Sequence, residues 1–173
     1  MKRHVSLTLL VLTTLGVLNA HVDLAEVDGR RFVAAQGRLH DPLGWLEDGW
    51  TRLARRCSPV QAVPASEDVH GQALAAVQAF SPPDSASARL VQLNAQGSWL
   101  LAEVEFDRLN PAVVLLVQDG SGPRVVGEAI WSGSTEPWRP APRIRAHLAQ
   151  RAPQAPAALL ACLEPKQRLF QPR

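Results

Sequence analysis

The chain has 173 residues, which is enough for one domain with a substantial hydrophobic core and too few for two ordinary domains. Hydrophobic residues make up 46% of the chain and charged residues 20%, a globular composition that argues against wholesale disorder. The formal net charge is +2, but it falls to zero without residues 1–20, because Lys2 and Arg3 supply the excess. Without a basic excess, the chain is a poor candidate for nucleic-acid binding.

Residues 1–20 have the pattern of a secretory signal peptide. Lys2 and Arg3 precede an uncharged, mostly apolar run over residues 5–18, which is shorter than the roughly 20 residues that a membrane span needs. We expect cleavage after Ala20 and no stable membrane span afterwards; a retained N-terminal anchor is the alternative. The strong excess of Arg over Lys and the absence of Tyr are typical of a GC-rich bacterial genome. The pattern thus predicts a periplasmic or secreted bacterial protein.

The first part of the exported chain predicts one short strand and two helices. Residues 31–36 favour a strand at a sheet edge. Asp41 and Pro42 are typical of an N-cap and a first helical position, and the following apolar residues recur at helical spacing, which predicts a buried face. That face comprises Leu43, Leu46, Trp50, Leu53, Ala54 and Cys57; a solvated face comprises Glu47, Asp48, Arg52, Arg55 and Arg56, with Trp45 more exposed than Trp50.

A second helix is expected from Ser66 as its N-cap, with acidic residues in the first turn where they complement the helix dipole. Its buried stripe is Val69, Ala73, Ala76, Val77 and Phe80.

Four strands of an antiparallel meander follow, over residues 89–95, 98–106, 112–118 and 123–131, separated by turn residues. Apolar and polar residues alternate in the first two strands, which predicts one buried face and one wet face carrying Glu103 and Glu105. Residues 112–117 are continuously apolar, as in a central strand covered on both faces. Gly127 indicates a bulge or a close helix contact.

These elements predict an α+β fold in which a four-stranded antiparallel meander packs against helices. The order of a helix leading into a meander resembles the cystatin or NTF2-like arrangement, in which the sheet curls around the helix. We expect a single domain over residues 21–165, with short helices at 143–151 and 157–163, and a flexible tail over 166–173. Cys57 and Cys162 are the two cysteines of the chain, and in an oxidising compartment such a pair predicts a disulfide.

Motifs with a catalytic mechanism are absent from the sequence, including a nucleophile elbow, a phosphate loop and a zinc-binding H-E-x-x-H. We therefore expect no metal, no cofactor and, on balance, no enzymatic activity. A cysteine nucleophile beside His147, or paired carboxylates at Glu103 and Glu105, are the less favoured catalytic readings. The histidines outside the signal segment lack mutual metal-ligand spacing; they are His21, His40, His70 and His147.

The loop 131–138 is the best candidate for a binding surface, because tryptophans bound a Gly/Ser-rich segment. The alternative is that these tryptophans cap the end of a small core. The candidate binding residues are Trp131, Ser134, Thr135, Trp138, Arg139 and Arg143. Residues 60–137 are acidic and residues 138–173 basic, so the two regions either neutralise each other or offer a basic face to an anionic partner.

Together these patterns predict an exported bacterial envelope protein that is a non-catalytic binding or accessory domain and recognises a protein partner through the loop 131–138. Two alternatives stay open. One is a small periplasmic hydrolase with a pocket in the curved sheet. The other is an inhibitor or immunity-type partner of a secreted enzyme.

Overall fold

The computed structural model describes residues 22–167 and 170. Over these residues the protein is α+β, with two antiparallel sheets and four α-helices. The predicted signal segment, its cleavage point and the alternative anchor lie outside the described residues. In the described part of the chain, every helix is too short or too polar to cross a membrane.

A small antiparallel sheet opens the described chain, with strands β1 (Val22–Val27), β2 (Arg30–Ala35) and β3 (Arg38–His40) in that order. Two-residue turns join them, and both residues of each turn have positive φ: 51° and 74° at Asp28 and Gly29, and 53° and 75° at Gln36 and Gly37. Such turns match the twist of hairpin strands. Residues 31–35 belong to β2, which is the central strand of this sheet. The prediction of a strand at a sheet edge is therefore wrong in its position.

The large sheet has five strands, so the prediction of four strands is wrong in number. Four strands correspond to the predicted ones, and a two-residue strand pairs with the first of them as an additional edge. In sheet order they are β4 (Gln61–Ala62), β5 (Arg89–Gln96), β6 (Trp99–Glu105), β7 (Ala112–Asp119) and β8 (Gly122–Ser132).

Helices cover both faces of the large sheet. The four are α1 (Pro42–Ala54), α2 (Asp68–Phe80), α3 (Pro140–Arg151) and α4 (Ala157–Ala161). One hydrophobic core lies between the sheet and α2, and the other lies between the sheet and the C-terminal helices α3 and α4. Two details of α2 differ from expectation: its N-cap is Glu67 rather than Ser66, and Phe80 is half exposed, with one edge of its ring against Gly127.

Because both sheet faces are covered, the predicted wet face is wrong at Leu101 and Glu103, which are each 1% exposed. The Glu103 carboxylate accepts hydrogen bonds from the backbone N–H of Lys166 at 2.8 Å and of Gln167 at 2.6 Å, and from Gln92 Nε2 at 2.6 Å. These donors satisfy a buried charge that would otherwise be costly. Beside it, a hydrogen bond from the Gln167 side chain, together with one from Arg89, lowers the pKa of the Glu105 carboxyl.

The C-terminal segment is held to the sheet by the same contacts. Phe170 is 1% exposed and belongs to the core beneath α3 and α4. Of the predicted tail over residues 166–173, Lys166 and Gln167 thus contact Glu103 and Phe170 is buried.

Helix α1 is oriented opposite to the prediction. Its N-cap is Asp41, as expected, but the residues that it buries are Gly44 and Asp48. The apolar stripe that was expected to be buried instead faces solvent, with exposed fractions of 52% at Leu43, 58% at Leu46, 74% at Trp50 and 84% at Leu53.

An ion pair between α1 and α3 explains this orientation. Asp48 is 2% exposed, and its Oδ1 lies 3.1 Å from Arg145 Nη1, while Arg52 Nη2 lies 3.0 Å from Oδ2. Arg145 also donates to the carbonyl of Leu163 at 2.6 Å. Burial lowers the pKa of the Arg145 guanidinium, and the carboxylates of Asp48 and Glu164 oppose that shift. Since separating a buried pair is costly, α1 keeps its polar side inward.

The predicted disulfide is confirmed. Cys57, just after α1, is bonded to Cys162 at the end of α4, and their Cα atoms lie 5.8 Å apart. On the same side of the molecule, Arg55 Nη1 lies 2.5 Å from Glu164 Oε1. The segment after α1 is therefore joined to the C-terminal segment both covalently and by charge.

We predict that the Cys57→Ser/Cys162→Ser double variant loses about 4 to 5 kcal/mol of unfolding free energy, because the disulfide closes a long loop and restricts the unfolded chain. The two cysteines are 105 residues apart. Urea denaturation of the variant and of the oxidised protein measures the loss. A loss below about 1 kcal/mol would contradict a stapling role for this bond.

Candidate functional site

A cleft of about 910 Å³ opens between the small sheet, the N-terminal end of α1 and the segment after β8. Its walls combine aromatic, proline and aliphatic side chains with a few polar ones, a composition typical of binding sites. The lining residues from the first two elements are Val33, Gly37, Arg38, Leu39, His40, Asp41, Pro42 and Trp45; those from the segment after β8 are Thr135, Glu136, Pro137, Trp138 and Arg139.

A stack of rings and a guanidinium holds one wall of the cleft. Phe32 of β2, fully buried, meets Trp138 edge to face with 5.7 Å between ring centroids. Arg143 of α3 lies over two tryptophan rings: its Cζ is 4.3 Å from the centroid of Trp138 and 5.9 Å from that of Trp131. Trp131 in turn meets His147 edge to face at 5.2 Å. Such contacts stabilise the folded protein through cation–π and aromatic attraction, in addition to the burial of apolar surface.

Because Phe32 belongs to the small sheet and Arg143 to α3, this stack joins the small sheet to the body of the protein. Trp138 lies between Phe32 and Arg143, so its ring has neighbours on two sides. The cleft wall is therefore preorganised rather than dependent on a partner for its shape.

Asp41 fixes the base of the cleft. Its carboxylate caps α1 by accepting from the N–H of Gly44 at 2.8 Å, and its second oxygen accepts from the N–H of Arg139 at 3.0 Å. Arg30 of β2 approaches the same carboxylate, with Nε 3.3 Å from Oδ1. One nearly buried side chain thus positions the small sheet, α1 and the segment after β8 relative to one another.

The structure brings together most of the residues that the sequence singled out for binding. Thr135, Trp138 and Arg139 line the cleft, although Thr135 is only 2% exposed. Trp131 and Arg143 stand behind the cleft wall in the ring stack. Ser134 is exposed on the loop, and its Oγ accepts from the N–H of Glu136 at 3.1 Å.

The opposite wall was missed by the sequence interpretation. It is formed by β3 and the start of α1, where Leu39 and Trp45 are 37% and 62% exposed. The signal that could have found it is the pair of Asp28-Gly29 and Gln36-Gly37 turns, because such dipeptides between apolar segments are typical of hairpins. Recognising two hairpins would have placed β3 directly before α1.

In the structure, each catalytic candidate named from the sequence is held by a covalent bond or by hydrogen bonds. Cys57 and Cys162 are bonded to each other, so neither is a thiolate nucleophile. His147 is hydrogen-bonded to the carbonyl of Ile130 at 2.9 Å. Glu103 is buried against backbone donors, whereas Glu105 lies at the surface. Among the described residues, no group of three His, Cys, Asp or Glu side chains is arranged to hold a metal ion.

Comparisons of the chain with protein-family models, with curated proteins and with solved structures found no match. The geometry of the site itself therefore carries the functional argument.

We predict opposite effects for alanine at the two glycines of α1. At Gly44 a Cβ would overlap the Asp41 carboxylate and lie 2.9 Å from Arg139 Cβ, so Gly44→Ala must disturb the cap and the base of the cleft. We expect a loss of about 2 kcal/mol or more. At Gly49 a Cβ would meet no atom within 4 Å, so Gly49→Ala serves as the matched control.

The control should stabilise the protein by about 0.5 to 1 kcal/mol, because alanine has the higher helix propensity. Urea denaturation of both variants gives the two values. Equal effects of the same sign would contradict the proposed role of Gly44 at the junction.

Proposed function

We propose that the protein is an exported, non-catalytic binding domain of the bacterial envelope, and that the cleft beside the segment after β8 receives a segment of a protein partner. The observation that carries this proposal is the pairing of an exposed tryptophan, Trp45, with a wall fixed by the Phe32, Trp138 and Arg143 stack. Rigid aromatic side chains provide large contact area at low entropic cost.

The chemistry of the cleft favours an apolar polypeptide segment over a small charged ligand. Leu39, Pro42, Trp45 and Pro137 provide apolar surface on both sides. Arg38 and Arg139 add N–H donors, which suit the backbone carbonyls or a carboxylate of a peptide. A peptide that inserts an apolar side chain between Trp45 and Pro137 would use both kinds of contact.

Export is supported by the disulfide between Cys57 and Cys162, because such bonds persist in oxidising compartments. The signal-like segment at residues 1–20 supports the same location. The fold likeness to cystatin or NTF2-like proteins is proposed only for the order of elements, α2 followed by β5 to β8.

The two alternatives differ in what supports them. A hydrolase pocket in the curved sheet has less support, since both sheet faces are packed with apolar side chains from α2, α3 and α4. An inhibitor or immunity-type role would use the same cleft and the same partner class, a protein, so it differs from the main proposal only in the activity of that partner.

We predict that Trp45→Ala abolishes capture of the partner, because it removes the exposed ring from the cleft. The assay is a pull-down from an envelope extract with the immobilised protein, read by mass spectrometry. Trp50→Ala is the matched control: Trp50 lies on the same helix and is 74% exposed, but it is not among the cleft residues.

At low protein concentration, where self-association does not contribute to stability, both variants should keep the melting temperature of the unaltered protein, since both side chains are mostly exposed. Incorporation of a photo-crosslinking amino acid at position 45 should give the same partner, whereas incorporation at the exposed Leu109 should not. Equal losses for Trp45→Ala and Trp50→Ala would contradict binding in the cleft.

A further inference from the structure

The outward side of α1 carries four large apolar residues in a continuous row. Leu43, Leu46, Trp50 and Leu53 each expose more than half of their surface, and none of them is among the residues that line the cleft. Together they present on the order of 500 Å² of apolar surface, at the upper range for a monomeric soluble protein. We call these four residues the apolar face of α1. Patches of this size are often functional.

The spacing of the apolar face is that of a helix-pairing seam. Its members are separated by three, four and three residues, which is the alternation of the two core positions in a heptad repeat. A helix with this spacing packs along another helix through side chains that interlock. The seam is uncharged.

The same spacing is symmetric about position 48. If two copies of α1 pack antiparallel through their apolar faces, with the two-fold axis at the level of position 48 along the helix, Leu43 faces Leu53 of the other copy and Leu46 faces Trp50 of the other copy. Each tryptophan then meets a leucine rather than a second tryptophan, and the two helix dipoles are opposed. Such a self-complementary patch is what a two-fold dimer requires.

We infer that the protein forms a homodimer through the apolar face of α1, with the two α1 helices antiparallel. Two such faces would bury at most on the order of 1,000 Å² in total, which is the lower limit for a specific interface. A bilayer surface is less well suited to this face. Arg52 and Arg55 lie on the other side of the helix, where they pair with Asp48 and Glu164, so they do not flank the apolar face with charges for anionic lipid.

Sedimentation equilibrium of the protein purified from cells expressing the full chain tests the dimer. We expect a reversible monomer–dimer equilibrium in the micromolar range. Leu46→Glu and Trp50→Lys should each weaken it by about tenfold or more, because each places a charge against an apolar residue of the other copy. Leu109→Glu, at an exposed position outside α1, should leave it unchanged.

Mixing the Leu46→Glu and Trp50→Lys variants tests the antiparallel arrangement. In the mixed dimer, the carboxylate introduced at position 46 of one copy faces the ammonium group introduced at position 50 of the other, while the remaining contact is the native pair of tryptophan and leucine. The mixture should therefore dimerise more tightly than either variant alone. A mixture no tighter than the separate variants would overturn the antiparallel dimer.

Two further measurements can overturn the proposed dimer. Circular dichroism melts, taken at a concentration where the unaltered protein is monomeric, should match it, since the substituted side chains are mostly exposed; a lowered melting temperature would show that they belong to the core and would overturn the inference. A protein that stays monomeric at all concentrations would also overturn it. Binding of that monomer to anionic phospholipid vesicles, lost in Leu46→Glu, would assign the face to a membrane surface instead.

Trp45→Ala separates this inference from the binding proposal. It alters the cleft and leaves the apolar face intact, so it should retain the dimer while losing the partner. Trp50→Ala should show the reverse. Loss of both properties in both variants would overturn the assignment of the two sides of α1 to separate roles.

Discussion

The buried ion pair between Asp48 and Arg145 is the contact on which the rest of the structure depends. It joins α1 to α3 through groups that are 2% and 8% exposed, and Arg145 extends the connection to the carbonyl of Leu163. Turning α1 over would leave Arg145 buried without this carboxylate, which is costly, so the side of α1 that carries Asp48 faces inward. The apolar side of the helix is then left in solvent, in contrast to the usual arrangement of a surface helix.

This orientation gives α1 two different exposed sides. One side carries Trp45 into the cleft, where the Asp41 cap and the ring stack around Trp138 set the geometry. The other carries the apolar face. The disulfide from Cys57 to Cys162 and the ion pair of Arg55 with Glu164 anchor the far end of the same segment. A single helix thus supports both the proposed recognition site and the proposed dimer interface.

Much of the fold could be predicted because its signals are local. Asp41-Pro42 marks the start of α1, the turns delimit β5 to β8, and the lone cysteine pair indicates the disulfide. The predictions that were wrong depend on contacts between residues far apart in the chain. Periodicity shows that α1 has an apolar face, but only the partner of Asp48, 97 residues away, decides which face is buried. The strand pattern likewise predicts that Glu103 is solvated, and only its contacts with Lys166 and Gln167 show that it is covered.

A double-mutant cycle on Asp48→Ala and Arg145→Ala, followed by urea denaturation, tests the central claim most directly. If this pair orients α1, each single substitution removes a close partner of the other buried charge, and the double variant relieves that cost. We expect the double variant to be more stable than the sum of the single effects by about 2 kcal/mol or more. Additivity to within about 0.5 kcal/mol would show that the two side chains are energetically independent, and would contradict the account.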